Sequence, residues 1–294
     1  MSTLLEILNP SFLLRDALWA SVLVGFVCPL LGVYFVLRRM IFMGVALPQV
    51  SAAGIAFAFL AYHLLVGPHQ HFEMGERLLA LLGSVVFTLA ATVALALFER
   101  SGKHTVEARI GTTYAAAAGA TILFLAREPH GDAQIVNLLK GDILATTGAS
   151  LTWMVVVFGL VAAALLLFRK ELLLVSFDRD LAVVFGKRAG MWDLILYLLI
   201  GVVISLGVMS AGPLATFGFL VVPPVTVRLM ARRMLTFSLG AAALGAATAF
   251  AGFYCAFRFD LPLGPADVVL ASVVLLLVGA VTALRRALNR WQST

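Results

Sequence analysis

Long apolar runs without charged residues constrain this chain more than any other feature of its sequence. Each run has about twenty residues, the length that an α-helix needs to cross roughly 30 Å of hydrocarbon. A charge at the centre of a spanning helix costs roughly 2.5 to 3.5 kcal/mol on insertion scales, and all 15 acidic residues fall in loops or near the ends of the runs. The sequence therefore predicts an all-α, polytopic membrane protein whose spans are helices and not barrel strands.

The polar breaks between the runs predict about nine membrane spans, with eight as the alternative count. The seventh span is the least regular, because it opens at Pro213 and contains Pro223 and Pro224, a pattern that favours a broken or re-entrant helix. The loops are short and no low-complexity linker divides the chain, so we expect residues 1–294 to form one transmembrane domain. The predicted spans cover residues 14–37, 47–66, 77–98, 108–126, 150–168, 192–211, 213–231, 234–256 and 265–285.

Basic residues are sorted unequally between the two sides of the predicted bundle. Only 12% of the residues are charged and 62% are hydrophobic, which excludes an ordinary soluble domain. In so apolar a chain the net charge of +6 indicates loop bias and not nucleic-acid binding. Sixteen of the 21 Lys and Arg residues lie on one side, so the positive-inside rule predicts a cytoplasmic C-terminus and an external N-terminus. These sixteen are Arg38, Arg39, Arg100, Lys103, Arg109, Arg169, Lys170, Arg179, Lys187, Arg188, Arg228, Arg232, Arg233, Arg285, Arg286 and Arg290.

The longest loop on this basic side contains the signals of a short helix over residues 177–186. Asp178 is a good N-cap residue, and Gly186 is a typical helix stop. Two interpretations fit the pattern: a solvated connector, or a rigid helix that docks into a cytoplasmic partner.

Small residues dominate the segment that joins the first two spans. Pro48 suits the first turn of a helix, and Ser51, Gly54 and Ala58 allow a neighbouring backbone to approach closely. Tight helix packing is the simpler interpretation of this segment, and a substrate path is the alternative.

Histidines and carboxylates gather in the loops of the opposite side. Such a combination ligates borderline metal ions, although His69-Gln70-His71 lacks the i, i+4 spacing that puts two imidazoles on one helix face. These residues are interpreted first as solvated loop residues, with metal capture as the alternative. The group comprises His63, His69, His71 and His130 with Glu73, Glu76, Glu128 and Asp132.

The chain lacks the motifs of an enzyme. No Gly-x4-Gly-Lys-Ser/Thr phosphate loop occurs, and no Ser/His/Asp set or carboxylate pair lies at the predicted membrane depth. The same lack of acidic residues within the spans disfavours an ion-coupled carrier. We therefore expect no cofactor bound by this chain, with energy supplied by a partner. An ion-coupled secondary carrier and an assembly factor without transport activity are the alternatives.

A series of short motifs runs through most of the chain. They are Leu37-Arg38-Arg39-Met40 with Gly44, Leu138-Leu139-Lys140-Gly141-Asp142-Ile143-Leu144, Asp178 with Ala182 and Gly186, Gly212-Pro213-Leu214, Val222-Pro223-Pro224, Arg228-Leu229, and Leu261-Pro262-Leu263-Gly264-Pro265. In order and spacing this series resembles the membrane subunits of bacterial ABC importers for zinc, manganese and iron.

The resemblance implies an all-helical permease of the type II importer kind in a bacterial inner membrane. Such a permease forms a homodimer around a central pathway and receives a divalent metal from an extracytoplasmic binding protein. It binds two cytoplasmic ATPase subunits, which carry the ATP. The segment 177–186 then resembles the coupling helix, with Asp178, Arg179, Asp180 and Gly186 as the residues that couple to the ATPase.

One departure from the family pattern concerns the cargo. Family members commonly carry an aspartate and a histidine four residues apart after the double arginine, where this chain has Val45 and Gln49. Valine does not ligate metals, and an amide is a poor ligand for Zn²⁺ or Mn²⁺. Three explanations are compatible: transient contact of the metal with polar groups, a chelated metal as cargo, or other small cargo. The candidate pathway residues are Gln49, Ser51, Ser205, Met209 and Ser210, with interhelical hydrogen bonding as the alternative role of each serine.

Overall fold

The computed structural model of the protein describes residues 14–66, 73–99, 106–127 and 148–291. Within these ranges every regular element is a helix, and seven of the helices are long and apolar enough to cross a membrane: α1, α2, α3, α5, α8, α9 and α10. The all-α, polytopic prediction is therefore confirmed. The helices are α1 (Arg15–Leu37), α2 (Met43–Val66), α3 (Glu73–Glu99), α4 (Val106–Ala126), α5 (Gly148–Leu167), α6 (Arg169–Phe177), α7 (Arg179–Val184), α8 (Ala189–Arg228), α9 (Met234–Phe259) and α10 (Leu263–Trp291).

The 40-residue helix α8 is interrupted at Gly212 and folds back on itself. Gly212 has φ 83° and ψ 165°, a conformation that glycine adopts far more readily than other residues. A Cβ atom at Gly207 would lie 3.0 Å from Cγ2 of Thr216, whereas nine residues of continuous helix rise by about 13.5 Å. The predicted break between residues 211 and 213 is therefore present, and each half of α8 corresponds to one predicted span.

The remaining difference from the predicted span count concerns α4. This helix covers the predicted span 108–126, but Glu107 and Arg109 lie in its first turn, and it is not among the seven helices that are long and apolar enough to cross a membrane. With α4 included and the two halves of α8 counted separately, each of the nine predicted spans corresponds to a long helical segment of the described residues.

Helix α8 occupies the centre of the bundle. It contacts α2 and α3 on one side and α1, α9 and α10 on the other, while α1 and α2 barely touch each other. Because α8 is apolar on all sides, central burial is the arrangement that its sequence favours. Helix α8 is thereby packed between the two groups of helices.

One end of the bundle, which we call the basic face, is formed by the 38–42 connection, α6, α7 and the 229–233 connection. Helix α1 ends here in a left-handed residue that is not glycine: Arg39 has φ 57°, with its N–H bonded to Val36 O and the N–H of Met40 bonded to Phe35 O. Leu37 and Ala231 border one apolar cluster, which brings the two connections together. The loops predicted to be cytoplasmic thus include neighbours in space.

Candidate functional site

The short helix predicted over residues 177–186 is present as α7. Asp178 caps it, since Oδ1 of Asp178 accepts a hydrogen bond from the backbone N–H of Leu181 at 2.9 Å. The helix ends before Gly186, which has φ 71° in the left-handed region. Both signals are local, because each depends on residues within one or two turns, and for that reason the sequence alone predicts them.

One face of α7 is packed against the rest of the molecule. Ala182 is fully buried and forms an apolar cluster with Val175 of α6 and Ala189 of α8. Trp192 of α8 borders this cluster, and its ring centroid lies 5.3 Å from that of Phe168. Helix α7 is therefore attached to the first turn of α8 and is not a loose connector.

The other face of α7 exposes an apolar surface. Large apolar side chains on a solvated connector are unfavourable unless a partner covers them. Val184 is 81% exposed, and Phe177 and Phe185 are each 65% exposed. The full set, which we call the α7 surface, is Phe177, Leu181, Val183, Val184 and Phe185.

A buried carboxylate connects α7 to two further elements. Asp193, in the second turn of α8, forms an ion pair through Oδ1 with Nη1 of Arg38 at 2.8 Å. Its Oδ2 lies 3.4 Å from Nε of Arg179, the first residue of α7. Nε of Arg38 also donates to Oγ of Ser176 in α6 at 3.0 Å. We call Asp193, Arg38, Arg179 and Ser176 the Asp193 node.

An aromatic ring borders the Asp193 node on the side of the bundle. The guanidinium carbon of Arg38 lies 5.8 Å from the ring centroid of Tyr197, a distance that allows a cation–π contact. The Tyr197 hydroxyl donates to Sδ of Met40 at 3.9 Å. The sequence places Arg38 in a family motif and Arg179 in the coupling segment, but no local pattern indicates that Asp193 joins them, because Arg38 and Asp193 are far apart in the chain.

A second ion pair lies at the solvent-exposed edge of the basic face. Nζ of Lys187 is 3.4 Å from Oε1 of Glu171, which connects the start of α6 to the segment after α7. A hydrogen bond from the backbone N–H of Glu171 to its own carboxylate, together with Lys187, lowers the pKa of the Glu171 carboxyl. Since both side chains are partly exposed, this pair contributes little stability.

Two of the predicted pathway serines, Ser51 and Ser205, are connected through a third serine, Ser84. Oγ of Ser51 in α2 lies 2.6 Å from Oγ of Ser84 in α3, and Ser84 Oγ also reaches the backbone oxygen of Ser205 in α8 at 3.4 Å. Ser205 Oγ donates to the carbonyl of Gly201 at 2.8 Å. All three serines are fully buried. They connect α2, α3 and α8 by hydrogen bonds, which is the structural role weighed against the pathway role, and Ser84 is a member that the sequence did not indicate.

The other predicted pathway residues are Ser210, Met209 and Gln49. Ser210 donates to the Leu206 carbonyl at 2.7 Å within α8, next to the reversal at Gly212. Met209 and Gln49 are both half-buried, so part of each side chain faces the surface of the single chain. Val45, at the other departure position, is half-buried as well.

The proposed metal-capturing loop residues His69, His71 and His130 lie outside the described residues, as does the motif over 138–144. Within the ranges that the structure describes, no group of three or more His, Cys, Asp or Glu side chains is arranged to hold a metal ion.

A second buried carboxylate, Asp267, lies near the start of α10. Oγ of Ser21 in α1 faces this carboxyl group, although neither carboxyl oxygen meets the full geometry of a hydrogen bond with a described residue. A Cβ atom at Gly252 of α9 would collide with Asp267, so this carboxyl group is enclosed by three helices. The sequence predicted that it lies at a span end but did not predict its complete burial.

Comparison with known proteins gives a consistent family. The family model of the ABC 3 transport family matches residues 11–282. The chain is 25% identical over 264 residues to the manganese transport system membrane protein MntC of Listeria monocytogenes, covering 89% of this chain and 88% of the relative. It is also 25% identical to a protein of Haemophilus influenzae named as a probable iron transport system membrane protein, covering 94% of this chain and 92% of the relative.

A solved structure shares the fold. PsaBC from Streptococcus pneumoniae in complex with Fab matches with a TM-score of 0.79 and 22% sequence identity, over 94% of this chain and 94% of that chain. At this identity the likeness shows that the two chains share the fold.

Proposed function

Since the chain belongs to the ABC 3 transport family, we propose that it is the permease subunit of an ATP-binding-cassette importer for a divalent transition metal. In this proposal a homodimer of the chain spans the bacterial inner membrane as a single transmembrane domain per copy. It receives the metal from an extracytoplasmic binding protein and releases it into the cytoplasm. Two ATPase subunits bind and hydrolyse the ATP, and the permease itself is not an enzyme.

The observation that carries the proposal is the α7 surface on a helix that is fixed on its other side. An apolar surface on a rigid, well-capped helix suits the docking of a second protein, because little conformational entropy is lost on binding. Its place among the Arg and Lys residues of the basic face supports a cytoplasmic location by the positive-inside rule. A cytoplasmic ATPase is the partner that the family relationship supports.

The identity of the cargo is the finer part of the proposal. Zinc, manganese and iron are the candidates, and the names of the relatives favour manganese or iron. Val45 and Gln49 provide no strong ligand at the positions where family members commonly have an aspartate and a histidine. A free ion that makes brief contacts with polar groups is our first choice, and a chelated metal is the alternative for the same pathway.

Uptake by proteoliposomes that contain the chain and its ATPase tests this function. The binding protein is loaded in turn with Mn²⁺, Fe²⁺, Zn²⁺ or a metal chelate, and internal metal is measured with and without ATP. We expect ATP-dependent uptake of at least one free ion. Uptake of the chelate alone would change the cargo assignment, and no ATP-dependent uptake of any of them would contradict the importer proposal.

An ion-coupled secondary carrier is the second candidate, and Asp267 is the observation that favours it. Buried carboxylates in membrane helices are typical of proton and ion relays. A carrier would use an ion gradient to drive metal uptake into vesicles that lack the ATPase, and Asp267→Asn would abolish that flux. In the importer we expect no gradient-driven flux without the ATPase, and continued ATP-driven uptake in Asp267→Asn.

A further inference from the structure

The Asp193 node joins three elements that the sequence treats as separate. Arg38 belongs to the connection that leads from α1 to α2, Arg179 opens α7, and Asp193 lies on α8. Both carboxylate oxygens of Asp193 are used, one by each arginine. The pathway candidates Gln49 and Ser51 lie on α2, and Ser205, Met209 and Ser210 lie on α8. One carboxylate therefore connects α7 to α8 and, through Arg38 at the end of α1, to the connection that leads into α2.

The two arms of the node differ in burial. The side chains of Arg38 and Asp193 are 9% and 12% exposed, whereas that of Arg179 is 44% exposed. A buried ion pair is strongly disrupted when one partner is removed, because the other charge is left uncompensated. An exposed pair contributes little to stability, so the Arg179 arm serves to orient α7 relative to α8 more than to hold the fold together.

From this geometry we propose that Asp193 is a positioning residue that keeps α7 in register with the start of α8 and with the connection between α1 and α2, so that a displacement of α7 moves both of them together. The inference rests on the proposed function, because α7 has to be displaced by an ATPase partner. Asp193 acts through Arg38 and Arg179, and it contacts neither the cargo nor the ATP.

A distance measurement on the full chain tests the positioning role without any cargo. Nitroxide labels are attached to cysteines introduced at Val184 on α7 and at Arg232 in the exposed 229–233 connection, with the chain in lipid nanodiscs. The native Cys28 is fully buried, and Cys255 is replaced by alanine. We expect a narrow distance distribution for the unmodified node and for Asp193→Glu, and a broadened one for Asp193→Asn.

A folding defect is a concern for Asp193→Asn, so Arg179→Gln serves as the second variant. This change removes the exposed arm only and leaves the buried Arg38–Asp193 pair intact. We expect it to broaden the same distance distribution without lowering the melting temperature. An unchanged distribution in Arg179→Gln and in a folded Asp193→Asn would overturn the proposal.

The second measurement is the amount of metal taken up per ATP hydrolysed by the complex in proteoliposomes. Asp193→Asn is expected to keep its bound ATPase and its basal hydrolysis but to lose about five- to tenfold in uptake per ATP. Asp193→Glu should restore the ratio, and Glu107→Gln, an exposed carboxylate at the start of α4, is the matched control. A wild-type ratio in Asp193→Asn would overturn the proposal. Absence of uptake in the unmodified complex, together with a broadened distribution in Asp193→Asn, would contradict the importer function and leave the positioning role supported.

Discussion

Asp178 lies at the start of α7 and Arg39 lies just after the end of α1, and both affect the backbone only within a few residues. Asp178 satisfies an N–H group in the first turn of α7. Arg39 adopts φ 57° where α1 stops, a conformation that costs a residue other than glycine roughly 1–2 kcal/mol. That early stop leaves the preceding residue, Arg38, bonded to Ser176 and Asp193. The strained backbone at Arg39 thus directly follows the charged contacts of Arg38.

If the α7 surface docks the proposed ATPase partner, replacing the cap is expected to weaken the binding of that partner. Asp178→Ala removes the acceptor of the Leu181 N–H, which costs about 1 kcal/mol of helix stability, and the Kd for the ATPase should rise about fivefold. Asp178→Asn keeps an acceptor of the same shape and should bind nearly as well as the original chain. The Kd is measured by titrating labelled ATPase against nanodiscs, and equal values for the Ala and Asn variants would contradict a capping role.

Helices α2 and α3 cross with their backbones in close contact. A Cβ atom at Gly54 would collide with the carbonyl oxygen of Gly83 and lie 2.7 Å from Cβ of Phe87. The Ser51–Ser84 hydrogen bond lies one turn away from this contact. The small residues that the sequence placed after Pro48 therefore allow close helix packing, which was the simpler of the two interpretations.

Adding one methyl group at this crossing should destabilise the protein. Gly54→Ala forces the two helices apart, and overpacking of this kind costs about 1–3 kcal/mol. Gly111→Ala is the matched control, since Gly111 lies within α4 and a Cβ atom there meets nothing within 4 Å. The melting temperature in detergent should fall for Gly54→Ala and stay level or rise for Gly111→Ala. A similar melting temperature for both variants would contradict the close crossing.

The whole molecule is a bundle in which α8 contacts two groups of helices, and the elements of the basic face carry Arg38, Arg39, Arg169, Arg179, Arg232 and Arg233. The C-terminal end of α1, the start of α8 and the 229–233 connection lie on one face, as the predicted alternation of the spans requires. The orientation of that face toward the cytoplasm follows from charge alone and is a prediction.

Labelling with a membrane-impermeant maleimide checks the orientation. Single cysteines are introduced at Val184 on the basic face and at Leu261, an exposed residue between α9 and α10, with Cys255 replaced by alanine. In intact cells with a permeabilised outer membrane we expect Leu261→Cys to react and Val184→Cys to stay unlabelled. In inverted vesicles the pattern should reverse, and labelling of Val184→Cys from outside would mean that the chain is inserted the other way.

The amino-acid sequence by itself determined the class of protein, the helical segments, the break at Gly212 and the two ends of α7. These features depend on hydropathy or on residues within one or two turns, so they can be read along the chain. Only the tertiary structure decided that Asp193 pairs with Arg38 and Arg179, that Ser84 lies between Ser51 and Ser205, and that Asp267 is buried. The physical reason is distance in sequence: Ser84 and Ser205 are 121 residues apart, and no local pattern specifies which side chains meet once the helices have packed.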